Sequence, residues 1–370
     1  MAEAEEEAGA RPFALQRLGV VMAPDPTRPE EKGGVLNPAA VRVPDGALYL
    51  FPRVAATDDY ARVGVARVRF DERGDPAGVE RLGYALEPRE EYEFRERPAR
   101  GGCEDPRVTY LEPLGLYVLA YAAVGLPLTR VALAVSRDLR AWRRLGLVTF
   151  EPALDPSHAG YGFDFNGHDN KDAAFFPQAV AGPDGRPALA LLHRPMYTYD
   201  KGRPPRGVGD RRPGIWLSYC ALDDVLRDVA ALTRPRDHHE LIAPRRPWED
   251  RWIGGGTPPV LTRFGWLMVY HGVSERARKA AHEVKPYRYS AGALVVDRDD
   301  PRRVLYRSPE PILTPTAGPE VREMGPDAVF PTGIDDRGDG RIDIYYGMAD
   351  SSIGAATMRL PDELPGLERG

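Results

Sequence analysis

The chain has 370 residues with 50 Lys plus Arg against 55 Asp plus Glu, a formal net charge of −5, which excludes nucleic-acid binding through general basicity. Hydrophobic residues make 42 % and charged residues 28 %, which excludes global disorder. With 38 Gly and 37 Pro, turns come so often that many short strands are expected rather than a helical bundle.

The N-terminus, MAEAEEEAGARPF, is acidic and has no apolar h-region, so it does not read as a secretory signal. Residues 1–20 are expected to form a partly disordered acidic tail and 21–370 a single domain. No apolar run approaches the ~18–20 residues that span a bilayer. Cys103 and Cys220 make no disulfide framework, and a reduced, cytoplasmic protein is expected.

From residue 37 onward one pattern recurs. A polar residue is followed by a short apolar stretch, a turn, an apolar strand ending in a polar or aromatic pair, a loop, and a strand of small residues. The units begin at Asn37, Asp105, Asp172, Thr257 and Asp327, with spacings of 68, 67, 85 and 70. That period, with about four short strands per unit, predicts an all-β five-bladed β-propeller. Two short helices are expected, over 223–232 and 274–284. The loops 86–101 and 153–170 are long enough to cap a site, with Asn166 and His168 as residues that could reach it.

In a propeller the innermost strand of each blade lines the axis, so the five opening residues should converge at one end. A second column closes the same hairpins: Pro52-Arg53, Tyr121-Ala122, His193-Arg194, Tyr270-His271 and Tyr345-Tyr346. β-propensity alone does not explain strands that end in His-Arg or Tyr-His. Tyr270, Tyr345 and Tyr346 also fit plain packing, and Asp343, alternating with apolar neighbours, reads as a solvent-facing strand residue.

GCEDPR (102–107), NKDAAFFP (170–177), HRP (193–195), GTPPV with YHGV (256–273) and YYGMADSSIGAA (345–356) resemble, in this order, glycoside hydrolase family 130. That family holds β-mannoside phosphorylases and some β-mannosidases on a five-bladed propeller. The resemblance implies an inverting enzyme that cleaves β-1,2- or β-1,4-linked manno-oligosaccharides, or mannosyl-GlcNAc or -glucose, with inorganic phosphate to give α-mannose 1-phosphate. It also implies that Asp105 is the general acid, its proton passing through a hydroxyl of the bound mannose. Pro106 fixes φ and helps hold that carboxylate. An acid of this kind needs a raised pKa.

The nucleophile decides between two activities. A hydrolase needs a second carboxylate to activate water. Phosphate is already nucleophilic and needs a cationic pocket. Lys171, His193, Arg194 and Arg53 are the candidate phosphate ligands; with only five lysines in the chain, Lys171 beside Asp172 stands out. Asn37, Arg107, Asp172, Tyr270, His271, Asp327 and Asp350 are the candidate sugar-binding residues. GDGRID at 338–343 reads as a hairpin turn rather than a calcium loop. The seven histidines lack zinc-like spacing, and P-loop, dinucleotide and CxxC signatures are absent. No metal or cofactor is expected, and phosphate enters as a co-substrate. The expected partners are a β-mannoside and phosphate, neither nucleic acid nor membrane, with a homo-oligomer common in the family. An inverting β-mannosidase and a non-catalytic glycan-binding propeller are the alternatives.

Overall fold

The computed structural model describes residues 12–56, 58, 60–95, 101–152, 164–196, 210, 212–275, 287–316, 318–322 and 325–365. Runs of Val, Leu, Ile, Ala and Tyr between the turns form strands buried on both faces. Leu116–Val124 and Pro187–Pro195 are buried at all but their first positions. Such runs suit strands sandwiched between other sheets rather than strands with one wet face.

The fold is all-β. Among the described residues the only α-helix is Leu222–Arg227, followed by a 3-10 turn at Val229–Thr233, where a short helix is expected from sequence. Of the second expected helix, Ser274 and Glu275 end the strand Gly265–Glu275, and residues 276–286 lie outside the described residues. No helix among the described residues is long and apolar enough to cross a membrane.

The described strands run in five antiparallel sets. The first holds Gly34–Arg42, Leu48–Ala55, Tyr60–Phe70 and Pro76–Leu86. The second holds Gly101–Leu111, Leu116–Val124, Thr129–Ser136 and Arg143–Leu147. The third holds Asn170–Phe175 and Val180–Ala181 on Pro187–Pro195, then Ile215–Ala221 and Arg236–Ile242. In the fourth, Trp252–Gly254 and Val260–Thr262 pair with Gly265–Glu275, then Tyr287–Val296 and Val304–Arg307 follow. The fifth runs Asp327–Asp336, Arg341–Met348 and Ser352–Arg359, and takes its last strand, Gln16–Met22, from the N-terminus. The expected tail over 1–20 therefore ends sooner, because residues from 16 onward pair with the C-terminal strand; residues 1–11 lie outside the described ones.

The core lies between the sets. One apolar cluster joins the first set to the second (Phe51, Val63, Leu119) and another the second to the third (Leu133, Leu191, Trp216). Others join the third to the fourth (Leu217, Trp266, Met268) and the fourth to the fifth (Val269, Val295, Ile344). The last returns from the fifth to the first (Leu48, Leu50, Ile353). The first strands of neighbouring sets lie side by side: Gly34–Arg42 is flanked by Gly101–Leu111 and Asp327–Asp336.

Four sets share a buried clamp. A glutamate in the 3-10 turn before the first strand accepts an arginine from the outermost strand: Glu31 from Arg81, Glu93 from Arg144, Glu249 from Arg307 and Glu320 from Arg17. In three of them a tyrosine of the second strand donates as well, Tyr121 to Glu93 at 2.6 Å, Tyr270 to Glu249 at 2.6 Å and Tyr346 to Glu320 at 3.0 Å. Backbone N–H groups just upstream complete each carboxylate, for example Arg245 and Arg246 on Glu249. Each clamp thus fixes a turn, a second strand and an edge strand to one another.

The third set replaces this clamp with a neutral chain. His193 stands at the tyrosine position, its Nδ1 near the Asn170 carboxamide at 3.0 Å and its Nε2 2.8 Å from Ser218 Oγ. Ser218 Oγ lies 2.7 Å from His238 Nδ1, and His238 Nε2 is 2.7 Å from the Glu151 carbonyl. The hairpin turn expected over 338–343 is present, with Gly338 and Gly340 at positive φ and the next strand beginning at Arg341. Asp343 corrects an expectation: it is fully buried and paired with Arg341 at 2.8 Å and Arg337 at 3.2 Å, because a neighbouring sheet covers this face too.

Candidate active site

The first strands of the first three sets each lose register where their polar residue stands: between Leu36 and Ala39, Glu104 and Arg107, and Lys171 and Ala174. At these bulges Asn37, Asp105 and Asp172 have φ of 45°, 47° and 58°. Left-handed backbone is costly for most side chains, but Asn and Asp tolerate it, and a bulge re-aims a side chain out of the strand's alternation. The residue types therefore serve the backbone as well as the chemistry. Asp350, with φ 54°, sits in the turn between Arg341–Met348 and Ser352–Arg359. All four line one cavity of about 350 Å³, with Arg53, Arg95, Glu104, Lys171 and Arg194.

Asp105 Oδ1 accepts from Asn37 Nδ2 at 2.8 Å and from Arg53 Nη1 at 3.3 Å. Arg53 Nη2 donates to Glu104 Oε1 at 2.6 Å, so one guanidinium bridges both carboxylates. Arg107 lies behind them. It donates to the carbonyls of Asp105 (2.8 Å), Gly256 (2.9 Å) and Gly255 (3.0 Å). The Asn37 carboxamide fits because residue 347 is glycine; a Cβ there would overlap Asn37 Oδ1.

Burial opposes charge on Asp105, but Arg53, Arg107, the Asn37 hydrogen bond and Lys171 outweigh it, and its pKa lies below the usual carboxylate range. Glu104 goes the other way: burial dominates, Asp105 adds repulsion, and its proton affinity rises despite Arg53. The raised acid of the pair in the ligand-free enzyme is thus Glu104, contrary to the sequence expectation for Asp105.

Asp172 is deeply buried, yet the permanent cations Arg194 and Arg107, with Lys171, keep its pKa low. Arg194 Nε donates to it at 2.6 Å, and Arg107 Nη2 stands 3.6 Å away. His271 Nε2 is 3.7 Å from Asp172 Oδ2, but burial pushes the imidazole down to about 3, so it is neutral near pH 7 and this contact is no ion pair. Both its ring nitrogens are buried and have no hydrogen-bond partner among the described residues. The Lys171 ammonium differs from the arginines. It lines the cavity and has no hydrogen bond or ion pair among the described residues.

Residues 14–364 match the sequence profile of glycoside hydrolase family 130, described as beta-1,4-mannooligosaccharide phosphorylase. The chain belongs to family 130. A 1,2-beta-oligomannan phosphorylase of Thermoanaerobacter sp. (strain X514) is 30 % identical over 94 % of this chain and 98 % of that one. A beta-1,4-mannooligosaccharide phosphorylase of Ruminococcus albus is 35 % identical over 34 % of this chain and 36 % of its own. The solved beta-1,2-mannobiose phosphorylase of Listeria innocua, in complex with beta-1,2-mannobiose, superposes with a TM-score of 0.68. It is 22 % identical, over 94 % of this chain and 97 % of that one.

Within this family 130 chain the second column of candidates needs shifting by one residue. In the hairpin registers Arg53, Ala122, Arg194, His271 and Gly347 occupy equivalent places. Of these, Arg53, Arg194 and Gly347 line the cavity. Their predecessors Tyr121, His193, Tyr270 and Tyr346 face the sheet interior, as the period-2 alternation of a strand requires. Tyr270 is therefore not a cavity residue: it is fully buried and spends its hydroxyl on Glu249. His193 is likewise fully buried, burial depresses its pKa strongly, and Asn170 and Ser218 flank its ring nitrogens. That leaves it no group for phosphate.

Asp327 also lies off the cavity, although Pro326 and Ala328 line it; its carboxylate takes the Arg322 N–H at 3.3 Å and faces Arg288 at 3.9 Å. Arg107 and His271 stand behind the lining rather than in it. Asn166 bonds the Phe150 backbone on both sides, and neither it nor His168 lines the cavity. Sequence reasoning missed Glu104, Arg95, Tyr289 and Phe330, all of which line it. Glu104 was legible in EDPR, and Arg95 in the loop 86–101. Phe330, whose ring stacks 4.5 Å from that of His271, carried no signal beyond an apolar strand residue.

Proposed function

We propose that this chain cleaves β-mannosides by inverting phosphorolysis, yielding α-mannose 1-phosphate and a shortened acceptor. The observation that carries this reading is the Lys171 ammonium, unpaired among the described residues in a cavity it shares with Asp105, Arg53, Arg95 and Arg194. It feels Glu104, Asp105 and Asp172 only at a distance, and a cation whose hydrogen bonds are unspent suits an incoming anion. We assign phosphate to Lys171, Arg194 and Arg53. The mannose hydroxyls go to Asn37, Asp172 and Asp350, and the acid role to Asp105.

The reading takes the five strand sets as blades of a five-bladed propeller, with the cavity at one end of its axis. The cyclic succession of five inter-set clusters supports it. Inorganic phosphate is the co-substrate and no resident cofactor is invoked. A reducing, cytoplasmic setting fits Cys103 and Cys220, both buried free thiols. The relative matched along 98 % of its length is a 1,2-beta-oligomannan phosphorylase, which favours a β-1,2 linkage. Hydrolysis is the second reading, because the Asp350 carboxylate in the cavity has no hydrogen-bond partner among the described residues and could activate water.

Product analysis separates the two. With β-1,2- and β-1,4-mannobiose, mannose 1-phosphate should appear only when phosphate is present, and faster from the β-1,2 substrate. Lys171→Met should raise KM for phosphate by roughly 10–100-fold, the worth of a charge-assisted hydrogen bond, with little change in KM for the mannoside. Free mannose at equal rates with and without phosphate would overturn the assignment.

A further inference from the structure

The cavity is charge-balanced before any ligand enters. Among its described lining residues the cations are Arg53, Arg95, Lys171 and Arg194, and the carboxylates are Glu104, Asp105, Asp172 and Asp350, four against four. Arg107 adds one charge from behind. A phosphate dianion therefore overdraws the site, and two negative charges in a secluded place raise the proton affinity of their nearest carboxylates. Those carboxylates are identifiable. Arg53, one of the cations assigned to phosphate, is the same guanidinium that binds Glu104 at 2.6 Å and Asp105 at 3.3 Å. It cannot serve three anions as well as it serves two.

We propose that phosphate binding is coupled to uptake of a proton by the Glu104–Asp105 pair, so that the acid is charged only when the nucleophile is in place. This rests on the phosphate reading above. The proton comes from solvent: one carboxylate of the pair becomes a carboxylic acid as the dianion enters, and no other bond changes. Acid catalysis by Asp105 calls for such a step, because the Asn37 and Arg53 donors on its Oδ1, at 2.8 and 3.3 Å, favour the carboxylate, which has no proton to give.

The groups that face the pair are Asn37 and Arg53 from the first set and Arg107 from the pair's own strand. Lys171 and Asp172 face it from the third set, His271 from the fourth and Asp350 from the fifth. Asp172 is engaged by Arg194 at 2.6 Å. His271 is the competing proton acceptor, being neutral with neither ring nitrogen hydrogen-bonded among the described residues.

Calorimetric titration of the intact enzyme with inorganic phosphate, in buffers of different ionisation enthalpy on the alkaline side of neutrality, reads the proton count directly. About one proton per phosphate is expected, with affinity weakening by up to about tenfold per pH unit above neutrality. The ³¹P shift of bound phosphate should stay at the dianion value. The double substitution Glu104→Gln with Asp105→Asn should keep phosphate binding and lose the uptake. Each single variant, Glu104→Gln and Asp105→Asn, should lower the uptake if the double variant does not fold. Binding without uptake, a monoanion ³¹P shift, or uptake that survives both singles and the double variant would each overturn the proposal while leaving the phosphate reading standing. No binding of phosphate at all would remove that reading itself.

Discussion

At the scale of single residues, the site is built from positions where the backbone and the chemistry ask for the same side chain. Asn37, Asp105 and Asp172 sit at bulges with left-handed φ, which Asn and Asp accept more readily than other polar residues. Gly347 shows the reverse dependence. Its missing Cβ is the space that the Asn37 carboxamide fills, and Asn37 in turn donates to Asp105. Gly347 is not at positive φ, so alanine is acceptable to the backbone there and its effect falls on Asn37. Gly347→Ala should lower kcat by roughly 100-fold, the cost of a displacement near 1 Å, with a near-native unfolding midpoint; a kcat within twofold of wild type would show that Asn37 does not position the acid. The opening residues Asn37, Asp105 and Asp172 were legible in the sequence because repetition marks equivalent places. Whether a strand residue turns toward the cavity or into the sheet was not, since it depends on register to the single residue. The candidate pair His193-Arg194 therefore mixed an interior residue with a lining one, and Tyr270-His271 held no lining residue.

At the scale of elements, the clamp glutamates do the joining that short strands cannot do for themselves. Glu249 is fully buried and receives Tyr270, Arg307 and two backbone N–H groups. Removing one partner of such a buried pair leaves the other charged and uncompensated, at a cost of ~3–5 kcal/mol. Losing one neutral hydroxyl costs ~1 kcal/mol. In urea unfolding, Glu249→Ala should thus destabilise far more than Tyr270→Phe, and Glu249→Leu with Arg307→Met less than Glu249→Ala alone. Equal losses from Glu249→Ala and Tyr270→Phe would mean that the ion pair contributes nothing. The strands themselves were readable from apolar runs and turns. The clamps were not, because a glutamate in a charged turn such as RRPWED (245–250) reads as solvated until the arginine of a distant edge strand is brought onto it.

At the scale of the whole molecule, the pairing of Gln16–Met22 with Ser352–Arg359 ties the first part of the chain to the last, so the stability of the sets is expected to be shared. A shared transition exposes the buried His193 and His271 and the half-buried His238 and His239 together, and their protonation gives it a pH signature. Burial depresses the pKa of His193 and of His238, with His239 lowered by burial and Arg302 and His271 down to about 3. Below the unfolded-state value of about 6.5 the unfolded chain takes up protons that the native one refuses. Stability is then full above that pH and falls as the pH drops toward the folded values. Two carboxylates act in the opposite sense: burial raises Glu104, and raises Glu240 to about 7. These hold protons in the native state that the unfolded chain releases above its own carboxylate pKa. Four histidines outweigh two carboxylates, so the unfolding midpoint should fall from about pH 6.5 to about pH 5, by up to ~1.4 kcal/mol per pH unit for each net proton. The low-lying carboxylates Asp172 and Glu93 add to the loss only below that window. Thermal unfolding across the range reads the slope. His271→Asn should flatten it by up to one proton, whereas Glu240→Gln should steepen it. A midpoint independent of pH between 5 and 6.5 would mean that these imidazoles stay accessible to protons in the folded chain.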